Sequence, residues 1–276
     1  MPTAIGLNAT HSAESWANFV IDHLSVESVL LRAGARRITV QGDVAHVPKL
    51  TSDGTASWTA ELADIASSAP QGEEAILAPK KIANVVSLSS ESLADSPTSE
   101  LDLVGTALTR AIAVAIDARA FSASVATAVA PAGFLSLTLP TQTGGAGVID
   151  SYIRAIGTIE AAGGRANAIF ANPGDMTTLR LVKQSTTGSN MPVLQPNLQD
   201  AGAERIGGAV LFPTPAIAAG VALVADTSQL IVGIRKGATV DFSIHSRFVA
   251  DAVVARVIAR VDWGIGDVNG LVKVTV

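Results

Sequence analysis

The sequence predicts an α+β protein in which a long hairpin, a long helix, a mixed helix–strand unit and a strand-rich end follow one another. Three observations lead to this prediction. A segment without lysine or arginine, from Thr51 to Pro79, lies between strand-like stretches. An apolar pattern with spacings of three and four residues then runs from Leu101 to Ala115, as in an amphipathic helix. The chain from Gln229 onward alternates between apolar and polar residues, which is typical of strands.

The composition indicates that much of the surface is covered. Hydrophobic residues make up 48% of the 276 residues and charged residues 16%, whereas about 25% charged residues is usual. The charge-free stretch 206–225 has the length of a membrane span, but Pro213 and Pro215 lie in its middle. The first residues lack the basic start and apolar run of a signal peptide. We therefore expect a cytosolic, soluble chain that meets other protein and no membrane.

The sequence offers no catalytic constellation. It has no cysteine, and its four histidines do not show metal-ligand spacing. The glycine-rich run 144–147 lacks the lysine of a phosphate-binding loop. Glu73 and Glu74 are adjacent, so their side chains point in opposite directions if they lie in a strand. We therefore predict no catalytic residue, no cofactor and no metal, and the net charge of −5 argues against a broad grip on nucleic acid.

The N-terminal part predicts an arm followed by the hairpin. Residues 1–38 form the arm, with a short apolar pattern around Phe19 that Gly34 ends. Residues 36–49 alternate as a strand or hairpin, and 39–90 form the hairpin region, with strand-like stretches around Trp58 and after Glu74. A two-stranded ribbon is only marginally stable alone, so we expect it to lie against something.

The long helix should begin at Ser96 as N-cap with Pro97 in its first turn, and should end near Ala123.

Residues 130–227 predict a separate mixed unit. It should hold a helix over 148–162, a strand over 166–171 and a second helix that begins at Asn172, with Pro173 in its first turn. A polar loop follows over 184–200. At the C-terminal end, 229–235 and 239–245 predict a hairpin through Lys236–Gly237, and 253–263 and 268–276 predict two further strands.

Three motifs carry a family resemblance. The first is VPKLTSDGTASWTAE, from Val47 to Glu61, followed by LAPKKIANVVSLSSESLADS, from Leu77 to Ser96. The second is ANPGDMTTLRLVKQ, residues 171–184, and the third is Gly207-Gly208 with Leu211 to Pro213. Their order and spacing resemble the major capsid proteins of tailed bacteriophages with the Hong Kong 97-type fold. Ser92 stands where the family usually has a leucine.

The resemblance implies an arm over 1–38, an extended loop over 39–90, a peripheral domain over 91–129 and 228–276 with a spine helix, and an axial domain over 130–227. Such proteins self-assemble through hexamers and pentamers into an icosahedral shell that encloses double-stranded DNA. We expect the chain to be part of the virion and to assemble in the host cytoplasm, with portal and decoration proteins as further partners. No charged scaffolding segment precedes the arm, so either a separate scaffold protein acts or earlier residues were removed.

The resemblance also implies where copies touch and how they are locked. Cross-linking members use a loop lysine, an asparagine and a glutamate, but the aligned positions here hold Ile65, Asp251 and Ile258. We therefore expect no cross-link and a shell held by non-covalent contacts. The candidate contact residues are Trp58, Glu61, Asp64, Ile65, Glu73 and Glu74 on the extended loop, and Arg256 and Arg260 in the peripheral domain.

Two alternatives stay open at this point. An encapsulin shell has the same fold and a similar length but binds a cargo enzyme. A small α/β enzyme acting through Glu73-Glu74 or the glycine-rich run belongs to another class and would elute as a small oligomer.

Overall fold

The computed structural model describes residues 28–52, 54–62, 64–65, 67–91, 97–145, 147–183, 193–194, 204–235 and 239–275. The predicted cap at Ser96, the part of the apolar pattern around Phe19 that precedes residue 28 and most of the polar stretch 184–200 lie outside these residues.

The described residues contain helices and strands in mixed order. The helices are α1 (Val29–Arg32), α2 (Pro97–Ala120), α3 (Ile149–Ala161) and α4 (Pro173–Leu181). The strands are β1 (Arg36–Val40), β2 (Ala45–Ser52), β3 (Gln71–Leu77), β4 (Lys80–Ser89), β5 (Thr141–Thr143), β6 (Ala168–Ala171), β7 (Arg205–Ile206), β8 (Ala209–Pro213), β9 (Val221–Ala225), β10 (Leu230–Arg235), β11 (Thr239–Arg247), β12 (Ala252–Ile265) and β13 (Leu271–Thr275). None of these helices is both long and apolar enough to cross a bilayer.

A five-stranded sheet is built around the 14-residue strand β12. β4 pairs with it antiparallel along one edge, from Ser89 opposite Ala252 to Lys80 opposite Val261. β10 and β11 both pair antiparallel with β12 along its other edge, and β1 adds in parallel to β10.

The predicted hairpin between 229–235 and 239–245 is therefore wrong. β10 and β11 run in the same direction, end to end, because each pairs with a different part of β12. A strand as long as β12 can hold two shorter strands on one edge, and local turn residues do not reveal this. The hairpin in this region joins β11 to β12 instead, where Arg247 pairs with Ala252.

Helix α2 covers one face of this sheet. Its apolar spacing places Leu108, Ile112 and Ile116 in the core, where they belong to the same cluster as Val257 and Val261 of β12. The helix begins at Pro97 as predicted and ends at Ala120.

A six-stranded sheet, in the order β5-β13-β9-β6-β8-β7, forms the second unit. Helix α3 packs on it through Tyr152, Ile156 and Ile159. Helix α4 starts as predicted, because the Asn172 side chain accepts a hydrogen bond from the Gly174 N–H. β13 pairs with β9 and β5 in this sheet, whereas the sequence placed all of 228–276 with the long helix.

The two units share one core. A row of aromatic rings joins them, with centroid distances of 6.3 Å for Trp263–Phe134 and Phe134–Phe121, 4.8 Å for Phe121–Phe170 and 5.7 Å for Phe170–Phe212. The Trp263 indole Nε1–H also donates to the Ala132 carbonyl at 2.6 Å. These rings pack against one another at the close distances of a protein interior. The row therefore connects the five-stranded sheet to the six-stranded sheet.

A buried carboxylate holds the start of the described chain on α2. Asp117 accepts hydrogen bonds from the Ser28 hydroxyl at 2.7 Å, the Val29 N–H at 2.7 Å and the Leu30 N–H at 3.3 Å. These donors lie at the N-terminus of α1, whose first N–H groups have no partner within the helix. Asp117 therefore fixes the place at which the N-terminal segment meets the fold.

Candidate inter-subunit surface

The hairpin forms a two-stranded sheet of its own. β2 and β3 pair antiparallel, from Ala45 opposite Leu77 to Lys49 opposite Glu73 and beyond. This confirms the predicted long hairpin, although no strand forms around Trp58, where the sequence suggested one.

The segment that joins β2 to β3 presents large apolar side chains to solvent. Trp58 and Leu62 are as exposed as in an extended chain, at 105% and 103%, and Ile65 is 81% exposed. Glu61 and Asp64 are exposed beside them. Together, Trp58, Glu61, Leu62, Asp64 and Ile65 are called the hairpin tip. Burying one large apolar side chain contributes about 1.5–3 kcal/mol. Burial of the tip against a partner would therefore stabilise a contact that the single subunit does not make.

Leu62 was not among the predicted residues. It adopts a left-handed backbone conformation with φ of 65°, which costs a non-glycine residue about 1 kcal/mol or more. Nothing in its sequence context indicates that conformation, because leucine is not a turn residue.

Three of the predicted charged residues already have partners within the chain. Glu73 pairs with Lys49 at 3.1 Å, and Glu74 pairs with His46 at 2.8 Å, both across the hairpin. Arg256 pairs with Asp241 of β11 at 2.8 Å.

Glu61, Asp64 and Arg260 make no ion pair with any residue in the described part of the chain. The predicted acids thus fall into two groups. Glu73 and Glu74 pair across the hairpin, while Glu61 and Asp64 have no charged partner within the ranges that the structure describes. An exposed ion pair gives only about 0–1 kcal/mol, so neither group stabilises the subunit strongly.

Arg256 and Arg260 lie on the face of the five-stranded sheet that points away from α2. Alternate residues of β12 point to opposite faces, and Val257 and Val261 are buried beneath α2. In the antiparallel register, Arg256 lies opposite Val85 and Arg260 opposite Lys81. We call this surface the open sheet face; its residues are Lys81, Ala83, Val85 and Ser87 of β4 and Val254, Arg256, Ile258 and Arg260 of β12.

Lys81 and Val85 were missed as contact candidates, although the sequence contains the information. In KKIANVVSLS, exposure alternates residue by residue, as expected for a strand with one covered face. The pattern identifies the two faces of β4, but only the structure shows that its outer face adjoins Arg256 and Arg260.

The other end of the same sheet face is covered by the root of the hairpin. Leu77, which is 1% exposed, packs with Val47 and Ile231 in a small separate core. The Asp262 carboxylate accepts a hydrogen bond from the Ala78 N–H at 2.7 Å. Burial raises the pKa of Asp262, while the backbone N–H groups of Ala78 and Trp263 and the charge of Lys80 oppose that shift.

A second exposed apolar site lies at the turn between β11 and β12. Phe248 and Val249 both point into solvent. Asp251 follows with φ of 43°, and its carbonyl accepts a hydrogen bond from the Ser90 N–H at 3.1 Å. Phe248 and Val249 were not among the predicted contact residues.

The hairpin tip, the open sheet face and the turn between β11 and β12 carry the kinds of side chain that are found at protein–protein contacts. In the described residues, no three histidine or carboxylate side chains come together as metal ligands. Within the same ranges, every buried side-chain nitrogen or oxygen has a hydrogen-bond partner. What remains is an exposed apolar and acidic tip on a projecting hairpin, and a flat sheet face that carries lysine, arginine and valine.

Comparison with known proteins agrees with this geometry. The model of the phage capsid family matches residues 13–276. No sequence among the curated proteins matches the chain.

The fold resembles a structure from Microbacterium phage Oxtober96 (TM-score 0.71, 21% identity, 90% of this chain and 91% of that chain). It also resembles one from Mycobacterium phage Adephagia (TM-score 0.70, 18% identity, 90% and 89%). A third is the capsid of an empty GTA particle computed with C5 symmetry (TM-score 0.73, 19% identity, 90% and 89%). These matches confirm the predicted Hong Kong 97-type fold, and the encapsulin alternative is not favoured. Because the family model spans nearly the whole sequence, the chain belongs to the phage capsid family.

Proposed function

We propose that the chain is the major capsid protein of a tailed phage, which self-assembles through hexamers and pentamers into an icosahedral shell. The observation that carries this proposal is the hairpin tip, where Trp58, Leu62 and Ile65 are all exposed. A monomeric protein seldom leaves such an apolar group in water unless it binds something. In a member of the phage capsid family, the natural partner is another copy of the chain.

In this proposal, the tip of one copy rests on the open sheet face of its neighbour. The tip carries Glu61 and Asp64, and the open sheet face carries Lys81 and Arg260, so the two surfaces are complementary in charge. Complementary charges orient the contact, while burial of apolar area supplies most of its stability.

Glu73, Glu74 and Arg256 have a smaller role in this contact. Each would have to leave its partner in the same chain before it could pair with a neighbour. Such an exchange replaces one exposed hydrogen bond or ion pair by another, so its net gain is close to zero. We infer that their main contribution is to hold the hairpin and the sheet in shape.

The remaining partners follow from the shell and from the charge of the chain. A chain with net charge −5 would hold double-stranded DNA by confinement, since gripping phosphates requires clustered cations. We propose a separate scaffold, a portal and decoration proteins as further partners, the virion as location and the host cytoplasm as the place of assembly. The role is structural and requires no catalytic residue.

Electron micrographs of the purified chain test this proposal. We expect closed particles from the wild-type chain, and a soluble subunit without particles from the variant Trp58→Ser/Leu62→Ser/Ile65→Ser. As a matched control, Val125→Ser/Val129→Ser removes two exposed valines from the loop after α2 and should leave particles intact.

Size-exclusion chromatography can give a result that contradicts the proposal. Elution of the wild-type chain as a small oligomer under all assembly conditions would favour the small-enzyme alternative. Normal particles from the tip variant would show that the tip is not the contact.

A further inference from the structure

The hairpin is attached to the rest of the subunit at one small place. At its root, Leu77 is buried against the five-stranded sheet, and the Ala78 N–H donates to Asp262 at 2.7 Å. Beyond the root, the residues of β3 from Gln71 to Glu74 are exposed. A two-stranded ribbon has little stability of its own, so its direction depends on how the root is seated.

Two glycines form the surface on which Leu77 rests. A Cβ atom built on Gly264 would lie 3.0 Å from Cδ2 of Leu77, and one built on Gly233 would lie 3.1 Å from Cδ1 of Leu77. Gly233 and Gly264 are not among the glycines with positive φ. The close approach of the leucine, and not backbone conformation, therefore favours glycine at both positions, since a Cβ atom at either one would push Leu77 outward by a few tenths of an ångström.

The two glycines lie on neighbouring strands and on the same face. Gly233 of β10 pairs with Asp262 of β12, and Ile231 pairs with Gly264. Leu77, Asp262 and Ile231 thus meet at one end of the sheet face whose other end is open. We call Gly233, Gly264 and Ile231 the root seat.

We propose that Leu77 is a positioning residue: lodged in the root seat, it sets the angle at which the hairpin leaves the subunit. The angle in turn decides where the tip meets a neighbouring copy, and this consequence rests on the proposed function. Leu77 makes no contact with the neighbour in this proposal, and acts only through the direction of β2 and β3.

A small displacement of Leu77 at the root would move the far end of β3 by a distance that can be measured. Strands rise ~3.3 Å per residue, so Gln71 lies ~20 Å from Leu77 along β3. Adjacent strands are ~4.8 Å apart, and a displacement of ~0.5 Å across such a root corresponds to a tilt of ~6°. That tilt moves Gln71 by ~2 Å, a lever effect that only a seated root produces.

Distance measurements between two spin labels on the free subunit test the proposal. The chain has no cysteine, so Gln71→Cys and Ala111→Cys, both at exposed positions, give one label on the hairpin and one on α2. We expect a single narrow distribution for the otherwise wild-type chain. Gly264→Ala should shift the distribution by ~2 Å, because its methyl group displaces Leu77.

Two further variants distinguish the packing of Leu77 in the root seat from a general loss of stability of the subunit. Leu77→Ala empties the seat and should broaden the distribution, and in that background Gly264→Ala should cause no further shift. Gly157→Ala is the matched control, since no atom lies within 4 Å of a Cβ added there. If Leu77→Ala fails to fold, Leu77→Val shortens the side chain more mildly.

The outcomes distinguish this inference from the proposed function. A distribution that is already broad in the wild-type chain, or one that neither Gly264→Ala nor Leu77→Ala alters, overturns the role of the root seat. Both measurements use free subunits, so they stand whether or not particles form. Where the seat is confirmed, Gly264→Ala particles should differ in diameter from wild-type particles in the same micrographs.

Discussion

At the scale of single residues, the structure depends on a few buried polar groups with specific partners. Asp117 is the clearest case, because its carboxylate accepts three hydrogen bonds from residues 87 to 89 positions earlier in the chain. Both oxygens of this carboxylate act as acceptors, so replacing one of them by a donor leaves a buried donor unsatisfied, which is costly.

Asp117→Asn should therefore destabilise the free subunit by about 2–3 kcal/mol in urea unfolding, because an amide presents N–H groups to the donors of α1. Asp267→Asn is the control: Asp267 is exposed and accepts one N–H, from Asn269 at 2.9 Å, so its loss should cost about 1 kcal/mol or less. Equal losses from the two variants would show that Asp117 is not a special anchor.

Tyr152 gives a prediction for high pH. Burial raises the pKa of its hydroxyl above the ordinary value of 10.0, and the charge of Asp175 raises it further. The native subunit then keeps a proton that the unfolded chain releases. The stability linked to this group is present below about pH 10 and falls above it, by up to about 1.4 kcal/mol per pH unit.

Tyr152 is the only tyrosine in the chain, so near-ultraviolet absorbance reports its ionisation directly. We expect no tyrosinate in the folded subunit at a pH where the unfolded chain is half ionised. Tyr152→Phe should lose stability less steeply above pH 10 than the wild-type chain. Ionisation of the folded protein at the ordinary pKa would contradict the assignment.

At the scale of helices and strands, the sequence patterns correctly predicted those features that depend on residues close together in the chain. The cap at Asn172, the spacing of α2 and the alternation of β12 all depend on residues near in sequence, and each is found in the structure. Strand pairing depends on distant residues, so the order of β10, β11 and β12 and the place of β13 were not predictable in the same way. The exposed tip could be located from its sequence, but its missing strand around Trp58 could not.

The hairpin tip gives a prediction for proteolysis. Trypsin has no site between Thr51 and Pro79, but chymotrypsin can cleave after Trp58 and Leu62, which are fully exposed. We expect rapid cleavage there in free subunits and strong protection in assembled particles, because a neighbour covers the tip. Equal cleavage rates in the two states would rule out that cover.

At the scale of the whole molecule, the low charge content favours a subunit whose surface is partly buried by other protein. With 16% charged residues, the chain has fewer charges than an ordinary soluble domain. Interfaces of obligate assemblies are larger and more apolar than other surfaces, and a shell offers each subunit several of them. The composition therefore predicted association before any contact surface was known.

We propose that the shell is non-covalent, because of the residues at the three positions that align with the family's cross-linking groups. Ile65 and Ile258 have no reactive group, and Asp251 cannot serve as an acceptor amide. Particles boiled in detergent should therefore run as one band near the monomer mass of 28.1 kDa. A ladder of larger covalent species would contradict a non-covalent shell.

Disulfide trapping between copies shows whether the tip of one copy rests on the open sheet face of another. Two single-cysteine chains, Ile65→Cys on the tip and Ile258→Cys on the sheet face, are mixed, assembled and oxidised; the native chain has no cysteine to interfere. We expect a band at about twice 28.1 kDa from the mixture, and much less of it from either chain alone or with Val129→Cys in place of Ile65→Cys. Particles that form normally but give no mixed dimer would contradict this placement of the tip.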